Sequence, residues 1–127
     1  MKKGGLEEFG AYRKSLELFD LAAKDMETLK ADYSLGRLVS QQLASADSIC
    51  ANIEEGYGRL SRKEYIRFLD FARGSARETC GRYKRIGHWL SEDVVQQRTR
   101  LLDEIIGILT STITTLRMQK GSRDERG

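Results

Sequence analysis

The stretch NIEEGYGRLSRKE, Asn52 to Glu64, decides how this chain folds. Glycines at 56 and 58 flank Tyr57, Arg59 follows, and Ser61 stands three residues before Glu64. Glycines in this pattern serve either a phosphate-cradling loop or a joint between two helices. A dinucleotide loop needs G-x-G-x-x-G after a strand, and a P-loop needs a glycine pair ending in GK[ST]. GYGRLS is neither, and what precedes it has helical periodicity. The joint is the reading that fits. Glycine accepts the left-handed backbone of a helix C-terminus without steric cost. Ser61 with Glu64 forms a capping box, each side chain able to satisfy a backbone N–H at the next helix start.

Working outward from the joint, apolar residues recur at three and four on both sides. Upstream, Leu35, Leu38, Val39, Leu43, Ala46, Ile49, Cys50 and Ile53 predict a helix from about residue 35 to 57. Downstream, Tyr65, Phe68, Leu69, Ala72, Ala76, Thr79, Tyr83 and Ile86 predict the next. Before ADYSLG, Tyr12, Leu16, Phe19, Ala23, Met26 and Leu29 give a first helix over about 9–31. After GHWLSED, Val94, Leu101, Leu102, Ile105, Ile106, Leu109, Ile113 and Leu116 give a fourth, ending near Gln119. Ser91 is its N-cap, with Glu92 and Asp93 at the positive end of the helix dipole. Four amphipathic helices with short joints predict an all-α, antiparallel up-down-up-down bundle over residues 1–119. The tail 120–127, KGSRDERG, is expected to be disordered.

Composition agrees with this. The 127 residues suit one domain with its own core. Proline is absent and helix formers abound. Charged residues are 32 % and hydrophobic residues 39 %, the balance of a soluble folded chain. No apolar run approaches the ~18 residues of a membrane span. The start, MKKGGLEEFG, carries no apolar stretch of the secretory kind. Cys50 and Cys80 show no metal-ligand spacing and read as small buried hydrophobes in a reduced cytoplasm. The net charge of +3 is unevenly spread. From Arg59 to Arg85 there are nine basic and three acidic residues, whereas residues 1–58 carry seven and ten. The positive character belongs to one segment.

The same segment carries a family resemblance. SICANIEEGYGRLSRKEYIRFLDFARGS resembles the signature of bacterial four-helix-bundle proteins found as reading frames inside intervening sequences of 23S ribosomal RNA genes. That family reads S-I-x-x-N-I-A-E-G-x-G-R, then S-x-x-E-[FY]-x-R-F-L, then A-R-G-S. Ser48, Ile49, Asn52, Ile53, Glu55, Gly56, Gly58 and Arg59 match, as do Ser61, Glu64, Tyr65, Arg67, Phe68, Leu69 and Ala72 to Ser75. Glu78 stands where the family has a glutamate. Cys50 replaces a common proline and Glu54 a common alanine, while Leu43 and Ala44 stand where an arginine pair often occurs. The resemblance implies a cytoplasmic protein that forms a ring-like homopentamer and has no known enzymatic activity. In architecture it is also similar to the pentameric accessory proteins of diversity-generating retroelements, which bind a reverse transcriptase and nucleic acid.

Three groups of residues are candidates for function. Ser48, Asn52, Glu55 and Arg59 recur at four, three and four on the second helix, as a polar pocket or as a network tying it to a neighbour. Arg62, Lys63, Arg67, Arg73, Arg77 and Lys84 spread over a sector of the third helix away from its core stripe. They are read as a surface for RNA or DNA phosphates, or as a solvated face serving a protein partner. Gly74 and Gly81, seven apart in that sector, suggest close approach of another backbone or ligand. With Ile66 and Phe71, apolar residues off the core stripe, they are the candidate subunit interface. Tyr57 and Trp89 sit in the joints. Catalysis has little support: His88 is the single histidine, and Glu17, Asp20, Asp25 and Glu27 do not make the Glu-x-x-His pattern of di-iron bundles. The chain is read as a non-enzyme with no cofactor and no metal.

Overall fold

The computed structural model describes residues 5–119. Four helices carry the fold: α1 (Gly10–Leu29), α2 (Gly36–Tyr57), α3 (Arg62–Ile86) and α4 (Glu92–Met118). Single 3-10 turns at Leu6–Glu8, Tyr33–Leu35 and Gly87–Trp89 lead into α1 and fill the first and third joints. No strand occurs among the described residues. The tail expected over 120–127 lies outside them.

Each helix packs on its neighbours in sequence, and α1 closes the square against α4. Cross-helix bonds give the directions. Tyr12 Oη, early in α1, donates to Glu54 Oε2, late in α2, at 2.7 Å. Gln42 Nε2, early in α2, donates to the Thr79 carbonyl, late in α3, at 3.0 Å. Arg62 at the start of α3 reaches Gln119 just past α4, and Arg73 reaches Thr110. Neighbouring helices therefore run in opposite senses, as an up-down-up-down bundle requires.

The core is built from Leu18, Ala22 and Met26 of α1, Ala46, Ile49 and Ile53 of α2, Leu69, Ala76 and Tyr83 of α3, and Leu102, Ile105, Leu109 and Ile113 of α4. Each large aliphatic side chain so buried contributes roughly 1.5–3 kcal/mol of transfer free energy. Ser61 caps α3 by accepting the Glu64 N–H at 3.0 Å, and Ser91 caps α4 by accepting the Val94 N–H at 3.2 Å.

Two details correct the sequence reading. On α1 the buried line is Ala11, Ser15, Leu18, Ala22, Met26 and Leu29, not the line through Tyr12, Leu16, Phe19 and Ala23. Small residues at 11, 15 and 22 let α1 come close to its neighbours. The bulkier line falls on the flank, where Leu16 is 42 % exposed. At the α2–α3 joint, Gly58 has ordinary right-handed helical angles, φ −83° and ψ −3°. The glycine that matters is Gly56, and the reason is space. A Cβ there would stand 2.8 Å from Phe68 Cβ and 3.2 Å from Tyr65 Cδ1.

Candidate functional site

The outer line of α3 runs opposite Leu69, Ala72, Ala76 and Tyr83. At 3.6 residues per turn it passes through Lys63, Arg67, Gly74, Gly81 and Arg85. Arg77 and Lys84, seven apart, lie on the flank nearer α4, and Phe71 and Glu78 on the flank nearer α2. Lys63, Arg67, Arg77, Lys84 and Arg85 are all exposed. Of these only Arg67 has an acid within reach among the described residues, Glu64 at a long 3.9 Å. Gly74 is exposed, and a Cβ built on it meets no heavy atom within 4 Å. The helix backbone is thus open to approach between Lys63 on one side and Arg77, Lys84 and Arg85 on the other, none of which has an acid within reach among the described residues.

Three arginines expected on that surface, or counted toward its charge, face inward instead. Arg62 is buried and donates to Gln119 Oε1 at 2.8 Å. Arg73, its side chain 16 % exposed, bonds Asp70 Oδ1 at 2.7 Å and Thr110 Oγ1 at 3.2 Å. It ties α3 to α4. Arg82 is buried among Gln42, Ser45 and Glu78, with contacts of 2.9, 3.0 and 3.0 Å. The register explains this: all three lie at the edges of the core stripe, where a long side chain folds back over its neighbour. Six basic side chains of the segment, Arg59, Lys63, Arg67, Arg77, Lys84 and Arg85, remain exposed, against the exposed acids Asp70 and Glu78. The surface surplus is smaller than the sequence suggests, four charges (six minus two) against six (nine minus three).

Ser48, Asn52, Glu55 and Arg59 do not form one network. Asn52 Nδ2 donates to the Ser48 carbonyl at 2.8 Å and to Ser48 Oγ at 3.1 Å, within its own helix. Arg59 pairs with Glu55 one turn back. The polar bonds between α2 and α3 come from Gln42, Ser45, Thr79 and Arg82; Ser45 Oγ and Thr79 Oγ1 are 2.7 Å apart. Above them, Gln41, Ala44, Ser45, Ser48, Ser75 and Glu78 line an open groove of about 250 Å³. Glu78, recognised by resemblance alone, anchors the buried Arg82.

At the other end of the α2–α3 face stands an aromatic and cationic patch. The rings of Phe68 and Phe71 meet edge to face, centroids 5.6 Å apart. The Arg59 guanidinium stacks on Phe68 at 4.9 Å, and that of Arg67 lies 5.4 Å from Phe68 and 5.5 Å from Phe71. Phe71 is 46 % exposed and Leu60, just before the cap, fully so. Ile66 differs from Phe71: it lies at the α3–α4 seam and packs against the core from the side. Gly81 has Arg85 Nη1 3.5 Å from where its Cβ would be.

One cluster escaped the sequence reading. Asp25 is buried in the core, where its carboxylate accepts Tyr83 Oη at 2.6 Å, Arg98 Nε at 2.8 Å and Arg98 Nη2 at 3.0 Å. The bonds join α1, α3 and α4. Burial, then the bond to Asp25, holds the Tyr83 phenol far above the usual tyrosine range. The signal was spacing: Asp25 is seven residues after Leu18, and Arg98 four before Leu102, each on its buried line. Elsewhere, burial pushes the Cys50 and Cys80 thiols up. His88 is exposed and stacks edge to face on Trp89. Among the described residues no three of His, Cys, Asp and Glu converge as a metal-binding group, and no helix is long and apolar enough to cross a membrane.

Known proteins with this fold bear on what such a bundle is. No curated protein matches the sequence. A crystal structure of a protein of unknown function from the S23 ribosomal protein family of Bacteroides thetaiotaomicron is similar, with a TM-score of 0.77 and 26 % identity. The likeness covers 81 % of this chain and 97 % of that one. The family described as 23S rRNA-intervening sequence protein matches residues 7–111, which takes in α1 to α3, the Gly56–Ser61 joint and most of α4. Fold, joint and signature coincide over the same residues, and the chain belongs to the 23S rRNA-intervening sequence protein family.

Proposed function

We propose that this chain is a cytoplasmic, ring-forming protein, a homopentamer, that binds RNA or DNA through the outward line of α3. The observation that carries the reading is the set of exposed, unpaired Lys63, Arg77, Lys84 and Arg85 around an open helix backbone at Gly74. Phosphate oxygens are the ligands such cations recognise, without regard to sequence. No catalytic step belongs to this reading.

Arg77 and Lys84 are the residues to test, because Arg73 and Arg62 hold the bundle together. In an anisotropy titration against structured RNA, the wild type is expected to bind at low salt. Its log affinity should fall linearly with log salt, by roughly 0.7–0.9 per phosphate contact. Arg77→Glu with Lys84→Glu is expected to remove the binding while leaving the helical spectrum unchanged. No binding by the wild type at low salt removes nucleic acid from the reading, and unchanged binding in the double variant removes this face of α3.

A second reading has its own observation. The exposed Phe71, stacked with Arg67, and the exposed Leu60 suit a protein surface better than a phosphate backbone. On this reading the chain is an interaction scaffold, and the ring holds a protein partner without touching nucleic acid. The same titration separates the two.

A further inference from the structure

Two apolar surfaces lie on either side of α2, and their charges are opposite. The first is the flank of α1 formed by Tyr12, Leu16, Phe19 and Ala23. Leu16 is 42 % exposed, although α1 already buries a complete line in the core. Its rim is acidic. Glu54 is fixed beside Tyr12 by their 2.7 Å bond. Asp47, seven residues before Glu54, stands on the same line of α2. Asp20, one turn after Leu16, continues the solvent side. Asp20 and Asp47 are exposed and form no ion pair among the described residues. The second surface is the patch of Phe71 and Phe68 beneath Arg59 and Arg67. Arg59 is already paired with Glu55, whereas Arg67 has only Glu64 at a long 3.9 Å, so Arg67 is the cation open to a carboxylate from another chain. A stacked guanidinium keeps in-plane N–H donors for a carboxylate.

We propose that these two surfaces bind each other between copies: the Tyr12–Leu16–Phe19 flank of one chain receives the Phe71–Arg67 patch of a second, head to tail. This rests on the assembly reading above and specifies its interface. Apolar centre meets apolar centre, and acidic rim meets basic rim. Like-with-like pairing would set Asp47 against Asp47 or Arg67 against Arg67. The contact is heterologous, so each bound chain still offers one free surface of each kind, and the assembly closes as a ring if its rotation allows.

Complementation tests this directly. Leu16→Asp and Phe71→Asp each block one surface and leave the other intact. Both positions are substantially exposed, so the helical circular dichroism of each variant should match the wild type. Leu16→Ser and Phe71→Ser serve if either aspartate variant loses helix. By light scattering each variant alone is expected to be a monomer. Mixed in equal amounts they should give a two-chain species and nothing larger, because one intact flank meets one intact patch. A mixture that stays monomeric, or a Leu16→Asp variant that assembles like the wild type, overturns the proposal while leaving assembly itself standing. A wild type that is monomeric at micromolar concentration overturns the assembly reading and this interface together.

Discussion

Asp25 accepts three hydrogen bonds in the interior, from one phenol and one guanidinium, where its neighbours along α1 are Leu18, Ala22 and Leu29. A buried pair of this kind adds little over a well-packed apolar pair, but removing one member leaves an uncompensated charge. Asp25→Ala is therefore expected to cost about 3–5 kcal/mol, a large share of the 5–15 kcal/mol typical of a domain. Asp25→Leu combined with Arg98→Met should recover most of the loss. Urea melts of the three variants check both statements. Tyr83 adds a pH dependence at the alkaline end. Its folded pKa lies above the unfolded value of about 10, so the folded state keeps a proton that the unfolded chain gives up. Stability is whole below pH 10 and falls above it, by about 1.4 kcal/mol per pH unit for this one group. Tyr12, pushed up to about 12 by its bond to Glu54 and then by burial, acts in the same direction but weakly, being near the surface. Tyr83→Phe should cost about 1 kcal/mol at neutral pH and make the alkaline loss shallower, as denaturant melts between pH 9 and 11 would read.

Among the helices, α3 does most to connect core, joint and surface, and its glycines separate those roles. Gly56, facing it across the joint, has Phe68 Cβ against it, an atom fixed to the helix backbone. Gly56→Ala should force the α2–α3 corner apart and cost about 1–3 kcal/mol. Gly74 has open space instead, so Gly74→Ala should stabilise the isolated chain by about 1 kcal/mol. The added methyl also stands on the outward line between Arg67 and Arg85. A higher melting temperature together with weaker RNA binding is the expected result, and stronger or unchanged binding would separate that line from function. The helices, their joint and both serine caps were legible because each depends on local spacing and local backbone chemistry. The reason for Gly56 was not, because it is contact with Phe68 and Tyr65 of α3 and not a left-handed backbone. The third helix's stripe was read well, again from local spacing. The first helix's was not: α1 is apolar over a wide sector, and only its neighbours decide which line goes inside. Arg62 and Arg73 were misplaced because a long side chain at the edge of a stripe can turn either way, and the acceptors that turn them inward, Gln119 and Thr110, are distant in sequence. Spacing showed a basic sector but not which of its members reach solvent.

For the molecule as a whole, the proposed assembly would repeat weak sites. Two flanks of α3 divide the work in the reading argued here. Phe71, with Arg67 beside it, lies toward α2, where the proposed subunit contact would form. Arg77 and Lys84 lie toward α4 and are the proposed phosphate contacts. A single copy then offers only a few phosphate contacts, while a ring repeats them at fixed spacing. Linked sites raise avidity by about 10²–10⁴ over one site without any new contact, provided one nucleic acid spans them. Phe71→Asp separates the two effects, because it should leave a folded monomer that retains Arg77 and Lys84. That monomer is expected to bind long structured RNA at least about 100-fold more weakly than the ring. Its salt slope should be shallower, since fewer counterions are released in each event. For an RNA too short to reach a second subunit, monomer and ring should bind alike per chain. Anisotropy titrations with a short and a long RNA at two salt concentrations decide the matter. If monomer and ring bind the long RNA with equal affinity, the ring contributes nothing to nucleic-acid binding. The purpose of the ring then has to be sought in a protein partner rather than in nucleic acid.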